Sequence, residues 1–452
     1  MQDDAAGLTE ELAARAMALR FADLPAPVVA LAGQCLRDML ACALAGADDP
    51  LVGVLADLAA EEGGAGQATL IGRSARAPRM AAARINGAAG HALDFDDVNL
   101  AMPGHPSVAV LPALLALAEA RHASGAAVIE AFVAGYELQC RLGAALAPGH
   151  YDGLGFHATA TIGSFGAAAA CARLLGLDPA RAAMALGIAA TGAAGLKSMF
   201  GTMCKPLHAG MAAETGLRAA LMAARGFTSR ADAIECRQGF AATHSPDFVP
   251  ARARQTPPGG FHLLANLFKY HAACYLTHGA IEAARRLRAQ GVQPDDIASL
   301  ALTVDANSDR VCNIPRPQDG LQTKFSLRHT TAMALSGIET GALASYSTAN
   351  AADPALVALA ARITLRLRPG LPPAAGMLEV TTRDGRTLRS EHDAGIAATD
   401  IAEQGRRLEA KFAALATPVL GEARMAALSR HLASVAEMAD IAPLMAATAP
   451  SP

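Results

Sequence analysis

Apolar positions recur at i, i+3, i+4 and i+7 through the first half of the chain, which is the period of an amphipathic helix. Residues 8–24, LTEELAARAMALRFADL, and 25–46, PAPVVALAGQCLRDMLACALAG, both carry it. Pro25 and Pro27 stand at the start of the second, where proline is tolerated. Residues 178–196, DPARAAMALGIAATGAAGL, predict a helix with Asp178 as its N-cap and Pro179 at its first position. Similar segments follow one another over residues 8–235. Ala and Gly fall on several faces of these helices, so they are expected to be buried on more than one side and packed closely.

The pattern then changes twice. Residues 244–261, HSPDFVPARARQTPPGGF, are rich in proline and polar residues and read as a loop leaving the helical region. Beyond it, 299–306 (SLALTVDA), 361–367 (ARITLRL) and 376–392 (GMLEVTTRDGRTLRSEH) are extended in pattern, and Asp384-Gly385 is a hairpin turn signal. Helical periodicity persists at 278–289 and 327–346 and returns after 400. The expected fold is mainly α: a helical domain over 1–262, an α+β lid domain over 263–400, and C-terminal helices over 401–452 that pack back on the first domain. A site is then expected in the cleft between helical domain and lid.

Composition narrows the class. The chain has 452 residues, 52% of them hydrophobic and only 17% charged. That charged fraction is below the usual quarter and suggests buried surface beyond one core, as in an oligomer interface. Net charge is −3 with no block of like charges, which leaves nucleic acid and membrane surfaces without an electrostatic basis as partners. The N-terminus is acidic first and amphipathic afterwards, unlike a signal peptide. The uncharged runs 158–172 and 182–196 are too short to span a bilayer, and 98–118 is broken by Asn99, His105 and three prolines. A soluble cytoplasmic protein is expected. The eight cysteines are scattered with no C-x-x-C pair, against a disulfide framework, a zinc ribbon or an iron–sulfur site.

Chemistry concentrates in residues 90–112, GHALDFDDVNLAMPGHPSVAVLP, which hold His91, Asp94, Asp96, Asp97 and His105. If 88–97 is helical, His91, Asp94 and Asp97 share one face. The Pro103-Gly104 turn then presents His105. A carboxylate beside an imidazole fixes its tautomer and raises its basicity, as acid–base chemistry requires. The same stretch fails as a calcium loop, because Val98 stands where an oxygen ligand is needed. Gly153–Ala158 fits a dinucleotide loop but follows no apolar strand, and Leu196 breaks a phosphate loop at 192–198. No metal and no cofactor is expected. Lys205 precedes Pro206, so an extended backbone is expected to carry its ammonium from a loop into a cleft. Asp96 and Asp97 read more simply as structural anchors. His91 and His208 read equally as satisfied core histidines, and His262, Tyr270 and His271 are weaker candidates.

Four blocks taken together resemble the MmgE/PrpD family, which includes 2-methylcitrate dehydratase, cis-aconitate decarboxylase and iminodisuccinate epimerase. They are NGAAGHALDFDDVNLAMPGHPSVAVLPALLAL (86–117), GFHATATIGSFGAAAACARLLGLD (155–178), GTMCKPLHAGMAAETG (201–216) and FKYHAACYLTHGAIEAA (268–284), in family order. The resemblance implies a helical domain with an α+β lid, a homodimer, and chemistry without metal or organic cofactor. It also implies an active site lined by Asp94, His105, His157, Lys205 and Lys269. Two positions depart from the decarboxylase pattern: Cys274 stands for a histidine and His329 for a tyrosine.

The expected activity is that of a lyase acting on a small polycarboxylate by proton abstraction next to a carboxylate, first of all a 2-methylcitrate dehydratase-like hydro-lyase. Asp94, His105, His157 and Lys205 are the expected catalytic residues, and His91, Lys269, Cys274 and His329 the substrate-binding ones. An isomerase, epimerase or decarboxylase of a small di- or tricarboxylate is the alternative. An inactive helical protein that binds small acids is the alternative of another class.

Overall fold

The computed structural model describes residues 7–450; the acidic start at Asp3 and Asp4 lies outside the described residues. The chain forms two compact units. The first comprises 1–268 and 399–452, the second 269–398. The segment 263–268, expected with the second domain, belongs to the first for a physical reason. Leu263 donates its N–H to Glu137, Asn266 bonds Asp97, and Leu267 and Val98 exchange backbone hydrogen bonds of 2.7 and 2.8 Å.

The first unit is helical. Its helices are α1 (Leu8–Ala18), α2 (Ala26–Gly46), α3 (Pro50–Glu62), α4 (Arg79–His91), α5 (Pro106–Glu119), α6 (Gly125–Leu146), α7 (Ala158–Leu174), α8 (Pro179–Gly192) and α9 (Cys204–Ala224). Asp178 caps α8 by accepting from the Arg181 N–H at 2.8 Å, as its sequence predicts. Every residue of α5 is buried, and so is nearly all of α7, which makes these the inner layer. Helices apolar on every face belong at the centre of a unit. α2 is long and apolar enough to cross a membrane by length and composition alone. Here it is a core helix, with Leu40 to Leu44 wholly buried.

Small residues let these helices approach. At the α4–α9 crossing, a Cβ on Gly87 would stand 2.8 Å from the Gly210 Cα, and one on Gly210 would fall on the Arg84 carbonyl. Side chains at either position would drive apart the helices that carry His91 and Lys205.

The second unit is α+β. Its helices include α10 (His278–Ala289), α11 (Leu327–Leu335) and α12 (Pro354–Ala361). Its strands are β1 (Ile297–Asp305), β2 (Ile363–Arg368), β3 (Ala375–Thr382) and β4 (Thr387–Asp393), in sheet order β2-β1-β3-β4. β1 runs parallel to β2, with Leu300 opposite Ile363, and antiparallel to β3, with Leu302 opposite Leu378. Asp384-Gly385 turns β3 into β4, with Gly385 at φ +88°. The helix expected over 327–346 ends at Leu335, because Gly337 at φ +77° reverses the chain. The chain then re-enters the first unit through α13 (Ile401–Leu420) and α14 (Glu422–Ala433).

Candidate active site

α4 ends at His91, and residues 92–105 form a loop rather than the helix expected through 97. Asp94 is the cause, with φ at +51°, in the left-handed region that a side chain with a Cβ rarely adopts. The turn separates the carboxylates. Asp97 points away, accepting from Ser107 Oγ at 2.5 Å and Asn266 Nδ2 at 3.0 Å. Asn266 accepts in turn from the Tyr136 hydroxyl at 2.7 Å, and Asn99 donates to that hydroxyl at 3.0 Å. Burial, with the Asp38 charge nearby, pushes the Asp97 carboxyl up to about 7. Asp97 is therefore an anchor of the loop, as its sequence suggests.

Asp94 and Asp96 face a cluster of bases. Asp96, wholly buried, accepts from His91 Nδ1 at 3.0 Å and lies 3.1 Å from His105 Nδ1. Burial alone would raise its pKa, but the His105 and His91 imidazoles outweigh that and hold it well below the usual carboxylate range. Burial lowers His91 to about 4, so near pH 7 His91 is neutral and gives Asp96 a hydrogen bond rather than a charge. His105 is placed by its backbone, whose N–H donates to Thr159 Oγ1 at 3.0 Å, just before Pro106 opens α5. Its Nδ1 faces Asp96, which leaves Nε2 on the side of Asp94, 3.5 Å from Oδ1.

Lys205 reaches the same oxygen at 2.7 Å. His105 and Lys205 thus share a partner atom. The expectation that Lys205 lies on an extended loop is corrected: it sits in the first turn of α9, followed by Pro206. The first N–H groups of a helix have no intrahelical partner, so a proline in that turn loses nothing.

His157 precedes α7, held by its N–H to the Gly195 carbonyl at 3.0 Å. Its ring stacks on His91 at 5.8 Å, and its Nδ1 lies 3.1 Å from Nδ1 of His208, one turn beyond Lys205 on α9. One of those nitrogens carries the proton and the other accepts it. Burial, then the positive charges around it, keep His157 well below the usual imidazole range, so it is a neutral base near pH 7.

The first unit therefore gathers Asp94, Asp96, His91, His105, His157, Lys205 and His208. Sequence reasoning set Asp96 aside as structural and left His208 balanced between a core and a functional histidine. The missed signal for Asp96 is its place two residues from Asp94 across a turn. Lys269, Cys274 and His329 lie in the second unit, all buried. The Cys274 N–H donates to the Lys324 carbonyl at 2.9 Å, and His329 Nε2 donates to the Asn350 carbonyl at 3.1 Å. His271 is tied to Thr340 and Glu282 within that unit.

Among the described residues, His91, Asp94, Asp96 and His105 have potential metal-ligand atoms within 4.8 Å of one another, a grouping the sequence spacing did not disclose. The two carboxylates are already engaged. Asp96 serves two imidazoles, and Asp94 holds the Lys205 ammonium. A metal would have to displace a lysine and break a buried hydrogen bond, so the set fits proton transfer better than coordination.

The MmgE/PrpD N-terminal domain matches residues 10–253 and the MmgE/PrpD C-terminal domain residues 271–433. A cis-aconitate decarboxylase of Aspergillus terreus is 28% identical, over 97% of this chain and 95% of its own. The cis-aconitate decarboxylase of Homo sapiens is 30% identical over 81% of this chain and 78% of its own, and that of Mus musculus 30% over 70% and 68%. With both domains matched in order and the clustered residues falling within the first, the chain belongs to the MmgE/PrpD family.

Proposed function

We propose that this chain is a lyase acting on a small polycarboxylate. The observation that carries the reading is the single Asp94 oxygen shared by Lys205 and His105, with Asp96 behind the imidazole. Lys205 supplies a cation for a substrate carboxylate, a charge-assisted contact that contributes about 1.5–3 kcal/mol. His105 and His157 supply proton transfer. Chemistry next to a carboxylate passes through an enolate-like dianion, which needs cations and donors in place beforehand.

Two outcomes are open, each through an enolate-like anion of its own. In decarboxylation the carbon–carbon bond breaks, carbon dioxide leaves, and His105 returns a proton to the carbon. In dehydration one histidine takes the carbon-bound proton, the bond from the neighbouring carbon to its hydroxyl breaks, and an acid in the site protonates that hydroxyl so that it leaves as water. Decarboxylation of a cis-aconitate-like acid is the first reading, supported by the names of relatives that match up to 97% of the chain. Dehydration of a 2-methylcitrate-like acid is the second, favoured by the departures at Cys274 and His329. The test is incubation with a panel of hydroxy- and unsaturated tricarboxylates, followed by mass spectrometry. Loss of carbon dioxide selects the first reading and loss of water the second. A protein that binds these acids, as seen by thermal shift, but converts none of them is not a lyase of this class.

A further inference from the structure

We propose that Lys411, on the returning helix α13, is a positioning residue that sets the aim of Asp94 and Asp96. Its ammonium lies 2.6 Å from the Phe95 carbonyl, the backbone oxygen between those two carboxylates. It lies 2.6 Å from Asp38 Oδ1 on α2 and 3.9 Å from the centre of the Phe95 ring. Its side chain is 5% exposed and that of Asp38 1%. Three parts of the first unit, namely α2, the loop after α4 and α13, meet at this one charge.

A buried ion pair gives little net stability, because desolvation offsets the attraction, and an apolar pair of the same size would serve as well. The conformation that it holds is a better reason for the pair. Asp94 is left-handed, a state that persists in a non-glycine residue only where surroundings over-determine it. The next carbonyl in the chain is the one Lys411 grips. With Phe95 fixed, its neighbours diverge, Asp94 to Lys205 and His105, Asp96 to His91 and His105. The kinetic part of this inference rests on the lyase reading; the anchoring part does not.

The test compares Lys411→Met with Asp38→Asn/Lys411→Met, using hydrogen exchange read by mass spectrometry and steady-state turnover. The single variant removes the Lys411 cation from buried Asp38 and is expected to loosen the whole unit. The double variant leaves no uncompensated charge, so the amides of α6 and α7 should regain wild-type protection. Residues 92–99 should still exchange at least about tenfold faster. Turnover should stay down by about 10- to 100-fold with KM within about twofold, because a misaimed pair costs rate more than binding. Return of loop protection or of kcat together with core protection would overturn the proposal. If the double variant does not fold, Asp38→Asn decides. It keeps the tie to Phe95, so 92–99 should stay protected, and loosening there equal to that in Lys411→Met overturns the anchor. If the wild-type protein converts no polycarboxylate, the lyase reading fails, and exchange at 92–99 alone upholds or overturns the anchoring.

Discussion

Asp96 faces two imidazoles at once, and the division of labour in the site follows from that. It lies 3.1 Å from His105 Nδ1 and leaves Nε2 on the side where Asp94 and Lys205 stand. His105→Gln should therefore fold, still bind a substrate analogue in calorimetry, and turn over at least about a hundredfold more slowly; near-normal kcat would remove His105 from proton transfer. Lys205→Met should bind the analogue more weakly by about 2–5 kcal/mol, because a desolvated carboxylate loses its partner. Asp97 offers a test that needs no substrate. Its carboxyl is raised to about 7 in the native state against roughly 3.9 unfolded. The native protein thus holds the extra proton, and this residue's contribution to stability is full below pH ~4 and lost as pH rises towards 7. Relative to Asp97→Asn, the wild-type protein should lose on the order of 3–4 kcal/mol across that window in urea denaturation. A pH-independent difference would mean that Asp97 is ionised throughout.

At the scale of elements, the α4–α9 crossing governs how far His91 and Lys205 stand apart. Gly210→Ala should cost about 1–3 kcal/mol, since a methyl group there would fall on the Arg84 carbonyl and press on the Ala88 backbone nitrogen. A Tm equal to wild type would show that the helices separate freely. Periodicity made α1, α2, α8 and the β3–β4 hairpin legible in the sequence, because each is fixed by contacts local to itself. The loop at 92–105 was not. Its turn depends on a left-handed Asp94 and on partners at Leu267, Asn266 and Lys411, none of which leaves a local pattern. The residue types of the site were readable while its geometry was not: Asp94 and Lys205 are 111 positions apart, and the His157–His208 contact spans 51.

For the whole molecule, two expectations rest on charge and composition. With so few charged residues for its surface, the 46.0 kDa chain should sediment as a homodimer; a monomer at micromolar concentration would contradict this. Turnover should survive prolonged chelator treatment, since Asp94 and Asp96 are engaged by Lys205 and the imidazoles. Activity lost to a chelator and restored by one specific metal would reverse that assignment. The first unit is built from both ends of the chain, with the second unit between them. Phe95 and Lys411 are 316 positions apart. At a synthesis rate of about 5–20 residues per second, the loop waits about 16–60 s on the ribosome for the lysine that grips it. During that interval α2 carries Asp38 with Lys411 not yet made. The nascent first unit thus has an unfinished core that the emerging tail must complete.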